Sequence, residues 1–303
     1  MTRVMLAATI DPIKKPDIFS KLRFPLAGSP KLDGIRATAD GGLLLSRDGI
    51  PIPSLQAQEQ FKHLTGLDGE LIYDNPTIPN VYNITQSYVM SKAKFAFSSE
   101  GESLLRFYVF DRIPLDGPNH GFATRYDSLP KEDSCIKIVP QTIIHNIEAM
   151  LEFEQQCLDA NYEGIMLRSI WGQYKFNRST FNEHLLMKLK RFVEFEAILV
   201  DILPAMKNNN ELQVSNIGYA KRSQAKSGLV AMDMAGSLVV SHNDKEYNVS
   251  CGCLSHVERK ELLAYPHLYL GRLAVIRHFG QNLHGYNPRH TRFVGWRDDG
   301  RKV

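Results

Sequence analysis

No apolar run in this chain is long. The recurring units are short β-rich stretches, "GGLLLS", "GELIY", "LLRFYVFD", "EGIMLRS" and "LLMKLK", separated by turn chemistry such as "RDG", "DNP" and "LDGP". This rhythm excludes a transmembrane helix, which needs about 20 consecutive apolar residues. The opening "MTRVMLAATIDPIKKPD" is cut by Asp11 and Pro12 and has no small-residue cleavage site, so we read the protein as cytoplasmic. Helical spacing is clearest over 141–160, where Ile144, Ile147, Met150, Leu151, Phe153 and Leu158 form one stripe. A second helix is expected over 55–64. The first 190 residues therefore read as α+β with mainly antiparallel sheets.

The pattern changes after "KLKRF". Residues 195–303 carry five short strands, "FEAILVDIL", "GSLVVSH", "EYNVSCG", "RLAVIRHFG" and "RFVGWR", with one helix near 255–265. Five strands and a helix in so short a segment fit a small barrel of the OB type. We place the domains at 1–190 and 191–303. The segment 204–228 is polar and basic and reads as a long loop, functional or disordered.

The chain has 303 residues, enough for two domains or one large one, and a net charge of +3. Its distribution says more. Residues 191–303 hold 15 Lys/Arg against 11 Asp/Glu, net +4; residues 1–190 hold 21 against 22, net −1. The positive excess lies where a phosphate backbone would favour it. Cys135, Cys157, Cys251 and Cys253 form no C-x-x-C pair, and "CGC" lacks a second ligand cluster, so they read as reduced thiols in or near the core. No coiled-coil repeat is present, and a monomer is expected.

One series of strings carries chemistry. "SPKLDGIR" occupies 29–36 and "SRDG" 46–49. "LDGEL", "FYVFDR" and "EGIMLR" follow at 67–71, 107–112 and 163–168. "YKFNRST" spans 174–180, "LLMKLK" 185–190 and "NPRHTRFVGWRDD" 287–299. Alone, each reads as an ordinary strand with solvated charges. In this order and spacing they resemble the motif series of the covalent nucleotidyltransferases. The match is nearest to the ATP-dependent DNA ligases, in the compact form many bacteriophages encode. The resemblance runs from about residue 22 to 299. It implies a nucleotidyltransferase domain of ATP-grasp-like antiparallel sheets followed by a small OB-fold barrel.

The implied reaction uses ATP and Mg2+ (or Mn2+) to seal nicks in double-stranded DNA through a lysyl-AMP, in replication, repair and recombination. It casts Lys31 as the adenylated nucleophile. A lysine that attacks phosphorus must be neutral; at a reference pKa of about 10.4 this costs about 4 kcal/mol near neutral pH. Desolvation and nearby cations lower that cost. Lys188 and Lys190, on one face if their segment is a strand, are the expected neighbours and phosphate ligands. The resemblance assigns Glu70 and Glu163 to metal and nucleotide contacts. Asp33 shares the face of Lys31 if the backbone is extended, and orients the lysine or holds a metal or water. Phe110 matches the ring that stacks on adenine, a contact worth about 1–3 kcal/mol. Pro30 and Leu32 flank the lysine in the nucleotide-binding set. Arg36, Arg47 and Arg178 match positions that contact ATP or the nick phosphate.

Arg289 and Arg297 match the two arginines of the last motif, implied to act on the pyrophosphate of ATP in the first step. Here His290 and Thr291 replace the usual aromatic and proline. Lys207, Lys221, Arg222 and Lys226 are candidates for clasping the duplex backbone. ATP is expected over NAD, because about thirty residues precede Lys31 and leave no room for the extra module of the NAD-dependent enzymes. The competing readings are an mRNA capping guanylyltransferase, an RNA ligase and a non-catalytic nucleic-acid-binding module.

Overall fold

The strand Leu105–Arg112 alternates strictly. Leu105, Phe107, Val109 and Asp111 are buried, and the residues between them are half-buried. Such a strand has an apolar core on one face and a second, more polar layer on the other. The architecture around it follows from that. The computed structural model describes residues 4–92, 103–115, 117–214, 220–281 and 288–297, without the side chains of Lys221, Phe279, Gln281 and Arg289. The chain divides into two compact units, residues 1–190 and 191–303.

In chain order, the first unit contains β1 (Ala8–Ile10), β2 (Leu26–Pro30), β3 (Ile35–Asp40), β4 (Leu43–Ser46), α1 (Leu55–Phe61), β5 (Leu67–Tyr73) and α2 (Val81–Val89). Then come β6 (Leu105–Arg112), α3 (Phe122–Asp127), β7 (Ile136–Ile138), β8 (Thr142–Ile144), α4 (Ile147–Asp159), β9 (Ile165–Ser169) and β10 (Met187–Leu189). Two five-stranded sheets result, ordered β4-β3-β5-β6-β7 and β1-β10-β9-β2-β8. Pairing is antiparallel except at β6/β7 and β1/β10. The first sheet buries Ala37, Leu67, Leu71 and Phe107 against Ala57 and Phe61 of α1 and Val89 of α2. The second buries Leu26, Ile165, Leu167 and Met187 against Met150 and Cys157 of α4. No helix among the described residues is long and apolar enough to cross a membrane.

The 141–160 region differs from its sequence reading. Thr142–Ile144 is strand β8, paired with β2, and Ile144 is buried from that strand rather than from a helix. The strand ends at Ile144, and Asn146 caps α4, its side chain accepting from the Ala149 N–H at 2.8 Å. The buried face of α4 is Met150, Glu154 and Cys157, with Leu151 exposed. The helices over 55–61 and 256–264 lie within the expected spans.

The second unit contains β11 (Val193–Asn208), β12 (Leu212–Val214), β13 (Ala220–Arg222), β14 (Leu229–His242), β15 (Lys245–Ser250), α5 (His256–Ala264), β16 (Leu273–Gln281) and β17 (Pro288–Trp296). Five strands pair in the cyclic order β11-β14-β15-β17-β16, resembling an OB fold. The β15/β17 contact is a single parallel pairing, Ser250 with Arg292. Ala197, Leu199, Leu238, Val240, Val249, Ile276 and Phe293 fill the interior.

The described residues of 204–228 do not form one long loop. β11 and β14 keep pairing beyond the barrel, Met206 with Ala231 and Lys207 with Val230, to form a two-stranded ribbon. Further out, β12 and β13 pair as a small antiparallel two-stranded sheet. Asn208 and Asn210 staple the turn. Asn208 Nδ2 donates to Ser223 O at 2.8 Å, and Asn210 Nδ2 to Ala225 O at 3.0 Å. These asparagines satisfy backbone acceptors that solvent would otherwise serve.

Candidate active site

The site lies where β2 ends. Past Pro30, the Lys31 N–H donates to Gly164 O at 2.8 Å, and the Glu163 N–H donates to Lys31 O at 3.3 Å. This exchange brings two segments 132 residues apart side by side. Lys31 Nζ then ion-pairs with Glu163 Oε2, while Lys190 Nζ donates to Glu163 Oε1 at 2.9 Å. Gly34 explains the glycine of "KLDG". A Cβ there would stand 2.8 Å from Glu70 Cγ and would also run into the Leu71 carbonyl and Ile72, so only glycine lets β3 close against β5.

Lys31, Asp33, Tyr162 and Glu163 line a cavity of about 290 Å3 whose other wall is the segment 76–81. Burial acts to lower the Lys31 pKa, but Glu163, Glu70 and Asp33 outweigh it and hold the pKa above the ordinary lysine value. This corrects the expectation that cationic neighbours ease its deprotonation: a carboxylate stands between Lys31 and Lys190. Burial opposes the charge of Glu163, yet Lys31 and Lys190 hold its carboxyl down to about 2. Glu70 behaves oppositely. Burial pushes it up to about 7, and Lys31 and Arg36 offset this only in part. Lys188 and Lys190 lie below the ordinary lysine value, chiefly through burial; Lys190 and Lys31 add to the fall at Lys188.

Arg178 adds positive potential at Lys188 and anchors itself by donating to Ala7 O at 2.8 Å. Phe110 stands at a β-bulge: Asp68 pairs with Asp111 and Gly69 with Val109, so Phe110 is the extra residue, half-buried beside Leu32, Ile72 and Val81. Leu32 is 7% exposed in that cluster, and its carbonyl accepts from Lys31 Nζ at 3.4 Å. Arg36 is committed differently from its sequence reading. Its Nε and Nη2 donate to the two Asp68 carboxylate oxygens, both at 2.6 Å, and its guanidinium lies 4.6 Å from the centre of the Phe110 ring. Arg47 is not brought in; it stands exposed beside Asp48 at 3.7 Å. In the second unit Arg297 pairs with Glu196 at 3.0 Å. Lys207, Arg222 and Lys226 are exposed along the ribbon and its tip. The side chains of Lys221 and Arg289 lie outside the described residues.

Sequence reasoning missed a buried polar layer between the sheets. Asp111 accepts from Arg125 Nε and Arg168 Nη1, both at 2.8 Å, and Asp68 accepts from Tyr174 Oη at 2.6 Å. One signal was available: Asp68 shares the strand parity of Glu70.

Among the described residues no three His, Cys, Asp or Glu side chains converge as a metal cage. Magnesium does not need one when it takes its other ligands from phosphates and water. Glu70 and Glu163, both acting on Lys31, fit that requirement, and the poorly compensated Glu70 suits a cation.

The fold is that of the nucleotidyltransferase-type ligases. A family model described as the ATP dependent DNA ligase domain matches residues 4–190, well over half of the chain. The chain belongs to the ATP-dependent DNA ligase family. Among solved structures it is similar to the Chlorella virus DNA ligase-adenylate, with 24% identity, 98% of each chain covered and a TM-score of 0.53. It is also similar to a Lig E DNA ligase, with 23% identity, 98% of this chain and 100% of that chain covered, and a TM-score of 0.69. At these identities the likeness shows the fold. A comparison with curated proteins returns no match.

Proposed function

We propose that this chain seals nicks in duplex DNA with Lys31 as its nucleophile. The observation that carries the reading is Lys31 Nζ held by Glu163 at the wall of a cavity that Asp33 shares. In the first step Nζ gives up a proton and bonds to the α-phosphorus of ATP, and pyrophosphate leaves. In the second, an oxygen of the nick 5′-phosphate bonds to that phosphorus and the P–N bond breaks. In the third, the 3′-hydroxyl loses its proton and attacks the activated 5′-phosphate, and AMP leaves.

Lys188, Lys190 and Arg178 supply fixed positive charge for the phosphates. Phe110 offers its ring to the base. Magnesium, held by Glu70 and Glu163, would neutralise developing phosphate charge. Residues 1–190 act as the nucleotidyltransferase domain and 191–303 as the OB domain, whose Arg289 and Arg297 serve the first step. The protein works as a monomer in the cytoplasm. Intact mass after incubation with ATP and magnesium is expected to rise by one adenylate, and not to rise with GTP or NAD. A guanylate adduct would support a capping enzyme instead. No adduct, from folded protein first stripped with pyrophosphate, would leave a binding module.

The ribbon clasps the duplex backbone. Neutralising Lys207, Lys221, Arg222 and Lys226 together is expected to reduce the slope of log affinity against log salt by about 3 to 4. An unchanged slope would remove the ribbon from the DNA contact.

A further inference from the structure

Tyr174 is 2% exposed, and the proposed reaction gives it no role. Its hydroxyl donates to Asp68 Oδ2 at 2.6 Å and accepts from the Met5 N–H at 3.1 Å. Asp68, 1% exposed, takes both of its other hydrogen bonds from Arg36, and Arg36 Nη2 also donates to Met5 O at 3.3 Å. The four residues close a circuit: Tyr174 to Asp68, Asp68 to Arg36, Arg36 to Met5 and Met5 back to Tyr174. The guanidinium at the end of this circuit lies over the ring of Phe110. A guanidinium held this close to a ring face attracts it and restrains its tilt, and Arg168 reaches the same ring from 5.7 Å. The alternative for the guanidinium, pointing into solvent or toward phosphate, is closed off by the two charge-assisted bonds from Asp68. Asp68 would have freedom to rotate if Arg36 were its sole partner. Tyr174 removes it, because its rigid ring spans from the segment after β9 in one sheet to β5 in the other.

We propose that Tyr174 is a positioning residue for nucleotide binding: through Asp68 and Arg36 it sets the plane of the Phe110 ring. The proposal rests on the reading that the base stacks on Phe110. Tyr174→Phe removes one oxygen, keeps the packing, and leaves Asp68 with one donor fewer and the Met5 N–H without its acceptor.

The test is single-turnover self-adenylation of the full chain over a range of ATP concentrations. Tyr174→Phe is expected to raise half-saturating ATP about fivefold, the scale of one lost hydrogen bond, with the maximal rate within about twofold of wild type. Phe110→Ala is expected to raise half-saturating ATP more. In the double variant, Tyr174→Phe is expected to add nothing further, because its effect runs through the ring. Multiplying effects, or a change confined to the maximal rate, would overturn the proposal. An unchanged half-saturation in Phe110→Ala would overturn the base-stacking reading, and this proposal with it. Should Tyr174→Phe not fold, Arg36→Lys, which keeps a positive charge beside Asp68 but removes the flat group over the ring, enters the same cycle with the same expected pattern.

Discussion

Lys31→Ala, mixed with ATP and magnesium, is expected to keep its mass, while the wild-type chain gains one adenylate. The loss should reach at least about 10,000-fold in adenylation rate, the scale on which removal of a nucleophile registers. Three lysines compete for this role, and two criteria disagree. By basicity Lys188 and Lys190 are the better nucleophiles, because burial lowers their pKa while carboxylates raise that of Lys31. By position Lys31 is the better one, since it lines the cavity and the other two do not. Position is the stronger criterion, because a reacting atom must first reach its partner. Peptide mapping of the adduct decides between them. An adduct on Lys188 or Lys190, or one that survives in Lys31→Ala, would sink the assignment. A nick that already carries the adenylate on its 5′-phosphate bypasses the nucleophile. Its joining by Lys31→Ala should persist, and that separates lost chemistry from lost folding.

The second large effect concerns stability. Asp111→Asn is expected to destabilise the first unit by about 3–5 kcal/mol, because it strands two buried guanidiniums without a counter-charge. Asp111 is 1% exposed, and Arg125 and Arg168 are 4% and 3% exposed. Arg125 offers a fork, Nε at 2.8 Å and Nη2 at 3.1 Å, and Arg168 adds a third bond at 2.8 Å. For a unit of this size the midpoint of thermal unfolding should fall by about 10 °C. The exposed pair Glu59–Lys62 is the control, and Glu59→Gln should move stability by less than about 0.5 kcal/mol. If the two substitutions cost the same, Asp111 is not the centre of the buried layer.

The contrast between what sequence reveals and what it hides runs through these two sites. Lys188 with Lys190, and Lys31 with Asp33, are legible from their spacing of two, although only Lys188 lies on a strand and Lys31 and Asp33 sit between β2 and β3. The sign of the effect on Lys31 was not legible. Counting charges finds Lys190, but only the fold inserts Glu163 between the two amines. Tyr174 and Asp68 are 106 residues apart and Asp111 and Arg168 are 57 apart, with no local pattern linking them. The string "YKFNRST" drew attention to Arg178 while its tyrosine bound the interior. The ribbon is hidden in the sequence for a different reason. Strands exposed on both faces show no alternation, so the asparagine-rich stretch passed for a loop. At 141–160 a real helical stripe ran on into Ile144, which belongs to a strand.

The ribbon carries its irregularities at its base. β11 and β14 serve as barrel staves, where Leu199 faces Val240 and Ile202 faces Leu238, and reach Lys207 and Val230 through register shifts at Leu199/Asp201, Leu203/Pro204 and Pro204/Met206. Bulges bend a strand and interrupt its ladder locally. The register of the ribbon is therefore uncoupled from that of the barrel, where Leu238 and Val240 stay in the interior. The base works as a wrist: the ribbon can change its angle while the apolar core of the second unit keeps its packing.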